Sequence, residues 1–223
     1  MEYKYNEMSK KSNQLKKFAI LFCTFIVPLL FFLFLASGKV NFEKLPVLTK
    51  NITGMTTTDL LRNKVSVVSI VGTTPNLSTY QKMLNLYQVI YKSTSKYRKF
   101  QVVTLVPESN TALIPILQSE LEKVGGVALE KWQFVSLPTA EIQQIYNSFE
   151  SPSVFELATG QSEVFIIDED LNLRGRTDDE DVASGILFGY DTGSVAILKN
   201  KLREDLKVLF YESKFAVKEP KLN

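Results

Sequence analysis

Hydrophobic and polar positions divide the chain into one unbroken apolar block and a longer remainder in which the pattern keeps changing period. The block, residues 18–36, reads FAILFCTFIVPLLFFLFLA and carries no charge. At about 1.5 Å of rise per residue, a helix of this length spans roughly 30 Å, the thickness of a bilayer's hydrocarbon core. Pro28 offers a kink point, and Cys23 falls mid-span, where a thiol acts as an apolar filler. After the block, residues 65–71 form a β-branched run suited to a strand covered on both faces. Residues 79–96 then set Tyr80, Met83, Leu84, Tyr87 and Tyr91 at helical spacing. A second buried strand is predicted at 100–106, ending at Pro107, and a helix at 111–124. Pro115 is tolerated in that helix near its first turn, and Gly125-Gly126 ends it. A short strand at 132–135 is followed by a helix at 139–149 with Thr139 as its cap and Glu141 in its first turn. Segments 163–167 and 171–176 form a hairpin around Asp168-Glu169-Asp170. An amphipathic helix over 197–211 closes the pattern.

The order is β-α-β-α-β-α-β-β-α, a central sheet with helices on its faces. The closing hairpin and helix make it a thioredoxin-like α/β fold, preceded by a single N-terminal transmembrane helix. The expected divisions are a polar tail at 1–17, the membrane anchor at 18–37, a connector at 38–50, the domain at 51–213 and a tail at 214–223. Within the connector, Leu45-Pro46-Val47-Leu48 suggests an edge strand. Residues 35–38 (Leu-Ala-Ser-Gly) are small enough to resemble a signal cleavage site, but the apolar run exceeds an ordinary signal core, so an uncleaved anchor is expected.

Charge orients the anchor. Five lysines (Lys4, Lys10, Lys11, Lys16, Lys17) precede the span against Glu2 and Glu7, which places the N-terminus in the cytoplasm and the domain outside, in a periplasm-like space. The whole chain carries +2, and the part after residue 37 is near −1, with no basic stripe of the kind that nucleic acid requires. With one cysteine and no histidine, no intrachain disulfide can form, and the usual neutral-pH base and commonest metal ligand are missing.

Several stretches in order resemble the Sco/SenC family, the membrane-anchored thioredoxin-like copper chaperones of cytochrome c oxidase assembly. They are Leu45-Pro46; Lys64-Val65-Ser66-Val67-Val68; Glu130-Lys131-Trp132-Gln133-Phe134; Val164-Phe165-Ile166-Ile167-Asp168 with Leu173-Arg174; and Tyr190-Asp191 ahead of residues 202–209 (Leu-Arg-Glu-Asp-Leu-Lys-Val-Leu). The resemblance implies a copper site made by Cys-x-x-x-Cys in the turn after the first core strand, plus a histidine shortly before the strand that ends in Asp168. In this chain the cysteine positions fall on Thr74 and Ser78, with Pro75 after the first, and the histidine position falls within 159–162, near Gly160 or Gln161. Copper(I) favours thiolate and imidazole, and thiol–disulfide exchange needs a thiolate. The resemblance therefore implies a degenerate member: no catalytic, cofactor or metal residue is expected. The remaining role would be protein contact, with respiratory oxidase subunits or assembly factors as partners.

The alternative is a ligand- or divalent-metal-binding protein, or an enzyme, using the turn from Gly72 to Ser78 or the acidic loops from Asp168 to Asp181. Backbone N–H groups at a helix N-terminus accept anions, but Asn76, Ser78 and Thr79 are also plain capping residues. Asp168-Glu169-Asp170-Leu171-Asn172 begins like a calcium loop, yet Leu173 stands where glycine is needed and Asp179 where the closing glutamate would be; a hairpin turn is the simpler reading. The run Asp178-Asp179-Glu180-Asp181 reads as a solvated loop. Of the two methionines outside the membrane block and tail, Met83 lies on an apolar helix stripe, as core rather than ligand, and the other is Met55. Asn51-Ile52-Thr53 and Asn76-Leu77-Ser78 match the N-glycosylation pattern.

Overall fold

The computed structural model describes residues 2–37, 44–52, 58–74 and 76–216. Pro75, Met55, Thr53, residues 38–43 of the connector and 217–223 of the C-terminal tail lie outside the described residues. The chain forms two compact units, 1–43 and 44–223. The first holds a single helix, α1 (Glu2–Ser37). Its segment Lys16–Phe34 has a mean hydropathy of 2.4 and is long and apolar enough to cross a membrane. Its described side chains are exposed, from Phe18 to Phe34. The Thr24 hydroxyl donates to the Ile20 carbonyl, so its polar atom is satisfied within the helix.

The second unit is built around a seven-stranded mixed sheet in the order β1-β6-β5-β2-β3-β4, with β7 paired to β5. The strands are β1 (Val47–Thr49), β2 (Val65–Ile70), β3 (Phe100–Pro107), β4 (Trp132–Leu137), β5 (Glu163–Ile167), β6 (Leu173–Arg174) and β7 (Tyr190–Asp191). Strands β2, β3 and β4 are parallel. Strand β5 runs antiparallel to β2, β6 to β5 and β1 to β6. The connector strand thus lies at the sheet edge, as its sequence suggests.

Side chains alternate across the sheet, and both sides are covered. Val65, Val67, Phe100 and Val102 face α3 (Leu77–Leu86, prolonged by a π turn Tyr87–Tyr91 and a last turn Lys92–Thr94), α4 (Leu113–Val124) and the C-terminal helix α6. Helix α6 runs as Val195–Ile197, a π turn Leu198–Leu202 and Arg203–Ala216. Val68, Ile70, Val103 and Leu105 face α2 (Thr58–Leu61) and α5 (Thr139–Asn147).

Three expectations need adjustment at element ends. The cap of α5 is Pro138 rather than Thr139, and no side chain caps it; proline's fixed φ and missing N–H suit a helix entrance, and Thr139 becomes the first helical residue. Helix α3 starts at Leu77 because Asn76 caps it: its side chain accepts from Thr79 N, and its own N–H reaches Thr79 Oγ1. Ser78 therefore does not cap but sits exposed in the first turn. Strand β7, too short for a period-two signal, had no counterpart in the sequence pattern.

Ser69, Thr104 and Trp132 form one paired polar cluster inside the sheet. Thr104 Oγ1 lies 2.8 Å from Ser69 Oγ and accepts from Trp132 Nε1 at 2.8 Å, linking three parallel strands on one face. Thr104→Val leaves the indole N–H and the Ser69 hydroxyl without this partner in a buried setting. The variant is expected to unfold at a stability lower by about 2 kcal/mol, read by denaturant unfolding followed through Trp132 fluorescence.

Candidate functional site

The candidate site lies where β2 leaves the sheet. Six consecutive buried residues carry the chain through the sheet to Ile70, and Val71 N still donates to Leu105 O. Val71 then forms an isolated bridge with Gly160, and Gln161 N donates to Ile70 O at 3.0 Å. The turn after β2 and the segment before β5 are thereby brought together, although about ninety residues of sequence separate them.

Two glycines allow this approach. A Cβ on Gly72 would lie 2.1 Å from Ala158 O and 2.3 Å from Gly160 N. Gly160 has φ +79°, and a Cβ there would lie 2.4 Å from Gly72 N. Only glycine fits such backbone-to-backbone contact without displacing a strand end. Hydrogen bonds then fasten the turn. Thr73 N donates to Leu157 O at 3.0 Å, and Thr74 donates to Ala158 O through both its amide, at 2.8 Å, and its hydroxyl, at 3.0 Å. The Asn110 side chain donates to Gly72 O at 3.0 Å from the opposite flank.

Thr74 and Ser78 are both exposed. Gly160 and Gln161 are buried, and the Gln161 side chain donates to Val154 O at 3.0 Å, closing its own loop. Beside them, Lys82 Nζ donates to Ser162 Oγ at 3.0 Å. The structure thus brings Thr74 against the segment that contains Gly160 and Gln161, with backbone contacts filling the junction. Neutral hydroxyls and an amide offer no thiolate for electron transfer and no soft donor for copper(I). The sequence pattern had not singled out Gly72 as one of a contacting pair, nor Leu157 and Ala158, whose carbonyls hold the turn. A glycine directly after a buried strand is the one signal that marked a close backbone approach.

The acidic loops resolve into internal pairings. Asp168 Oδ1 accepts from the backbone of Asp170 and Asn172, and Oδ2 accepts from Arg174 at 3.1 Å, which organises the β5–β6 hairpin turn. Leu171 takes φ +66° in that turn. The 178–181 run is not uniformly solvated, contrary to its sequence reading. Asp179 is buried, with Lys201 Nζ at 2.6 Å and Arg176 at 3.9 Å, while Asp181 at the surface takes Lys201 at 2.7 Å. Arg176 also pairs with Asp205 at 2.8 Å, and Asp205 accepts the Tyr190 hydroxyl at 2.6 Å. Burial, with the Asp205 charge beside it, pushes the Tyr190 phenol well above its usual value. Among the described residues, no three His, Cys, Asp or Glu side chains group so as to hold a metal ion.

A thioredoxin-like domain is defined by this arrangement: a parallel β2-β3-β4 core with an antiparallel β5–β6 hairpin, and a turn where the first core strand runs into α3. The domain's fold is Sco-like. It is similar to BsSco, a member of the Sco family of cytochrome c oxidase assembly proteins in which a disulfide switch was identified. The match has a TM-score of 0.52 and 11% identity over 77% of this chain and 98% of that one. It is also similar to a SCO1/SenC family lipoprotein from Bacillus anthracis (TM-score 0.49, 13% identity, 77% and 99% covered). A third similar structure is Arabidopsis thaliana ScoI with copper bound (TM-score 0.44, 14% identity, 67% and 87% covered). No protein-family model matches the chain, and no curated protein matches it in sequence.

Two variants probe the site's construction. Gly72→Ala drives a methyl into Ala158 O and is expected to lower stability by about 2 kcal/mol, with loss of amide protection at Thr73 and Thr74 measured by hydrogen exchange. For Asp179, burial raises the carboxyl, but Lys201, the Asp181 N–H and Arg176 outweigh it and hold it below the usual aspartate value. The stability it contributes is present above the unfolded value and is lost as pH falls through the depressed one. Asp179→Asn is therefore expected to be less stable at neutral pH by about 3 kcal/mol, the lower end for breaking a buried pair, since Lys201 keeps Asp181. The gap to wild type should close below about pH 4 in thermal melts.

Proposed function

We propose that this protein is a membrane-tethered, non-enzymatic Sco-like module that acts by protein contact, without a copper or thiol redox site of its own. The observation that carries this reading is the turn after β2. At the two positions where the family resemblance calls for cysteine stand Thr74 and Ser78, and the Thr74 hydroxyl is turned to Ala158 O. A hydroxyl that donates to a backbone carbonyl closes the turn and neither cycles electrons nor binds copper(I). Gly160 and Gln161, at the position of the third ligand, supply no imidazole.

The contact role draws support from the rim of the same site. Leu77 on the first turn of α3, and Val154 and Leu157 on the apposed loop, are exposed. Apolar side chains on two segments fastened to each other form a pre-organised surface, which lowers the ordering cost of binding. Helix α1 would anchor the protein with its lysine-rich end in the cytoplasm and its domain in an extracytoplasmic space. The likeness to BsSco, a member of the Sco family of cytochrome c oxidase assembly proteins, supports subunits or assembly factors of a respiratory oxidase as the partner class.

The full-length chain in detergent is expected to take up no stoichiometric copper(I) in a competition titration, and photo-crosslinking from Leu77 or Val154 in native membranes is expected to capture oxidase subunits or their assembly factors. Tight one-to-one copper binding, or crosslinks confined to lipid, would overturn this reading.

A further inference from the structure

Glu163, at the start of β5, lies directly opposite Asp191 of β7. Residues so paired on antiparallel strands share a face, and like charges there repel. Gly189 leaves room for the pair: a Cβ on it would stand 2.9 Å from both the Glu163 Cβ and the Phe165 ring. The titratable groups facing Glu163 are Asp191 from β7 and Tyr146 from α5. Among the described residues, neither Glu163 nor Asp191 is ion-paired with a lysine or arginine. Burial first, and Asp191 as well, hold the Glu163 carboxyl above the usual glutamate value.

This rung touches both ends of the loop that closes the candidate site. At one end Thr192, next to Asp191, donates to Ser162 O through its amide at 2.9 Å and its hydroxyl at 2.6 Å. Its own carbonyl accepts from Asn85 of α3. At the other end Tyr146, which faces Glu163, donates its hydroxyl to Ser153 O at 2.9 Å, and the next carbonyl, of Val154, accepts the Gln161 side chain.

We propose that Glu163, set against Asp191, is a proton-operated control on the loop at residues 151–162. With a proton on Glu163, the rung is free of repulsion and the loop is held closed on the turn after β2. With both carboxylates ionised, β7 is pushed from β5, and the loop opens more often. The proton comes from solvent, and no covalent step is involved. The device concerns the scaffold and holds whether or not the site binds a partner.

The direction follows from linkage. A carboxyl held above its unfolded value favours the fold while protonated, and that advantage is lost as pH rises through the raised value. Hydrogen exchange of the full-length chain in detergent, corrected for intrinsic rates, reads it between about pH 5 and 8. Opening at the Gln161 and Thr192 amides is expected to rise by about two- to fivefold over that range, the factor a cross-strand pair of like charges supports. Glu163→Gln should flatten the response. Asp191→Asn should flatten it too, while keeping the acceptor that Gly193 N uses at 2.9 Å. An unchanged pH response in either variant, or one shared equally by the amides of β3, overturns the proposal.

Discussion

The structure depends on the burial of β2 on both faces. All six of its residues are inaccessible, held between β3 and β5 and covered by helices on either side. A strand so enclosed cannot shift by one residue without turning its apolar set toward the wrong layer. Its register is therefore set, and so is the point at which Gly72 leaves the sheet. Everything at the candidate site follows from that exit. Gly72 meets Gly160, Thr73 and Thr74 meet the carbonyls of Leu157 and Ala158, and Asn76 starts α3.

At this junction the chain makes hydrogen bonds between backbone groups and neutral side chains. The turn is closed by Thr74, whose amide and hydroxyl share one acceptor, and the facing loop is closed on itself by Gln161. The charges lie instead on the side of α6. Arg174 bridges Asp168 and Glu212, Arg176 joins Asp205, and Lys99 pairs with Glu169, so the hairpin, the sheet and the last helix are tied by partly buried ion pairs. Arg174 and Asp168 are nearly enclosed. Removing one member of such a pair costs more than the pair itself contributes, because it leaves the other charge without a partner. The pairs therefore keep the helix in one register on the sheet.

Most of the architecture was legible along the chain because its signals are local. The β-branched run at 65–71 and the apolar-rich run at 100–106 mark strands that are covered on both faces, and the spacing of Met83, Tyr87 and Tyr91 marks a helix with one buried stripe. Element ends were less legible. Thr139 and Pro138 both suit a helix entrance, and which one caps depends on backbone angles that composition does not encode. Asp179 looked like one of four solvated carboxylates because the lysine that buries it, Lys201, lies twenty-two residues away.

By itself the sequence determined the α/β class, the apolar length of α1, and the presence of hydroxyls at positions 74 and 78, since these are matters of composition and short-range period. Only the tertiary structure decided that Thr74 donates to Ala158, that Gly72 and Gly160 touch, and that Glu163 faces Asp191. Each of these joins residues far apart in the chain, and the contact exists only once a buried sheet has set the register between them. The turn after β2 is therefore read in two stages: its chemistry from the residues it carries, and its closure from the loop that folds back onto it.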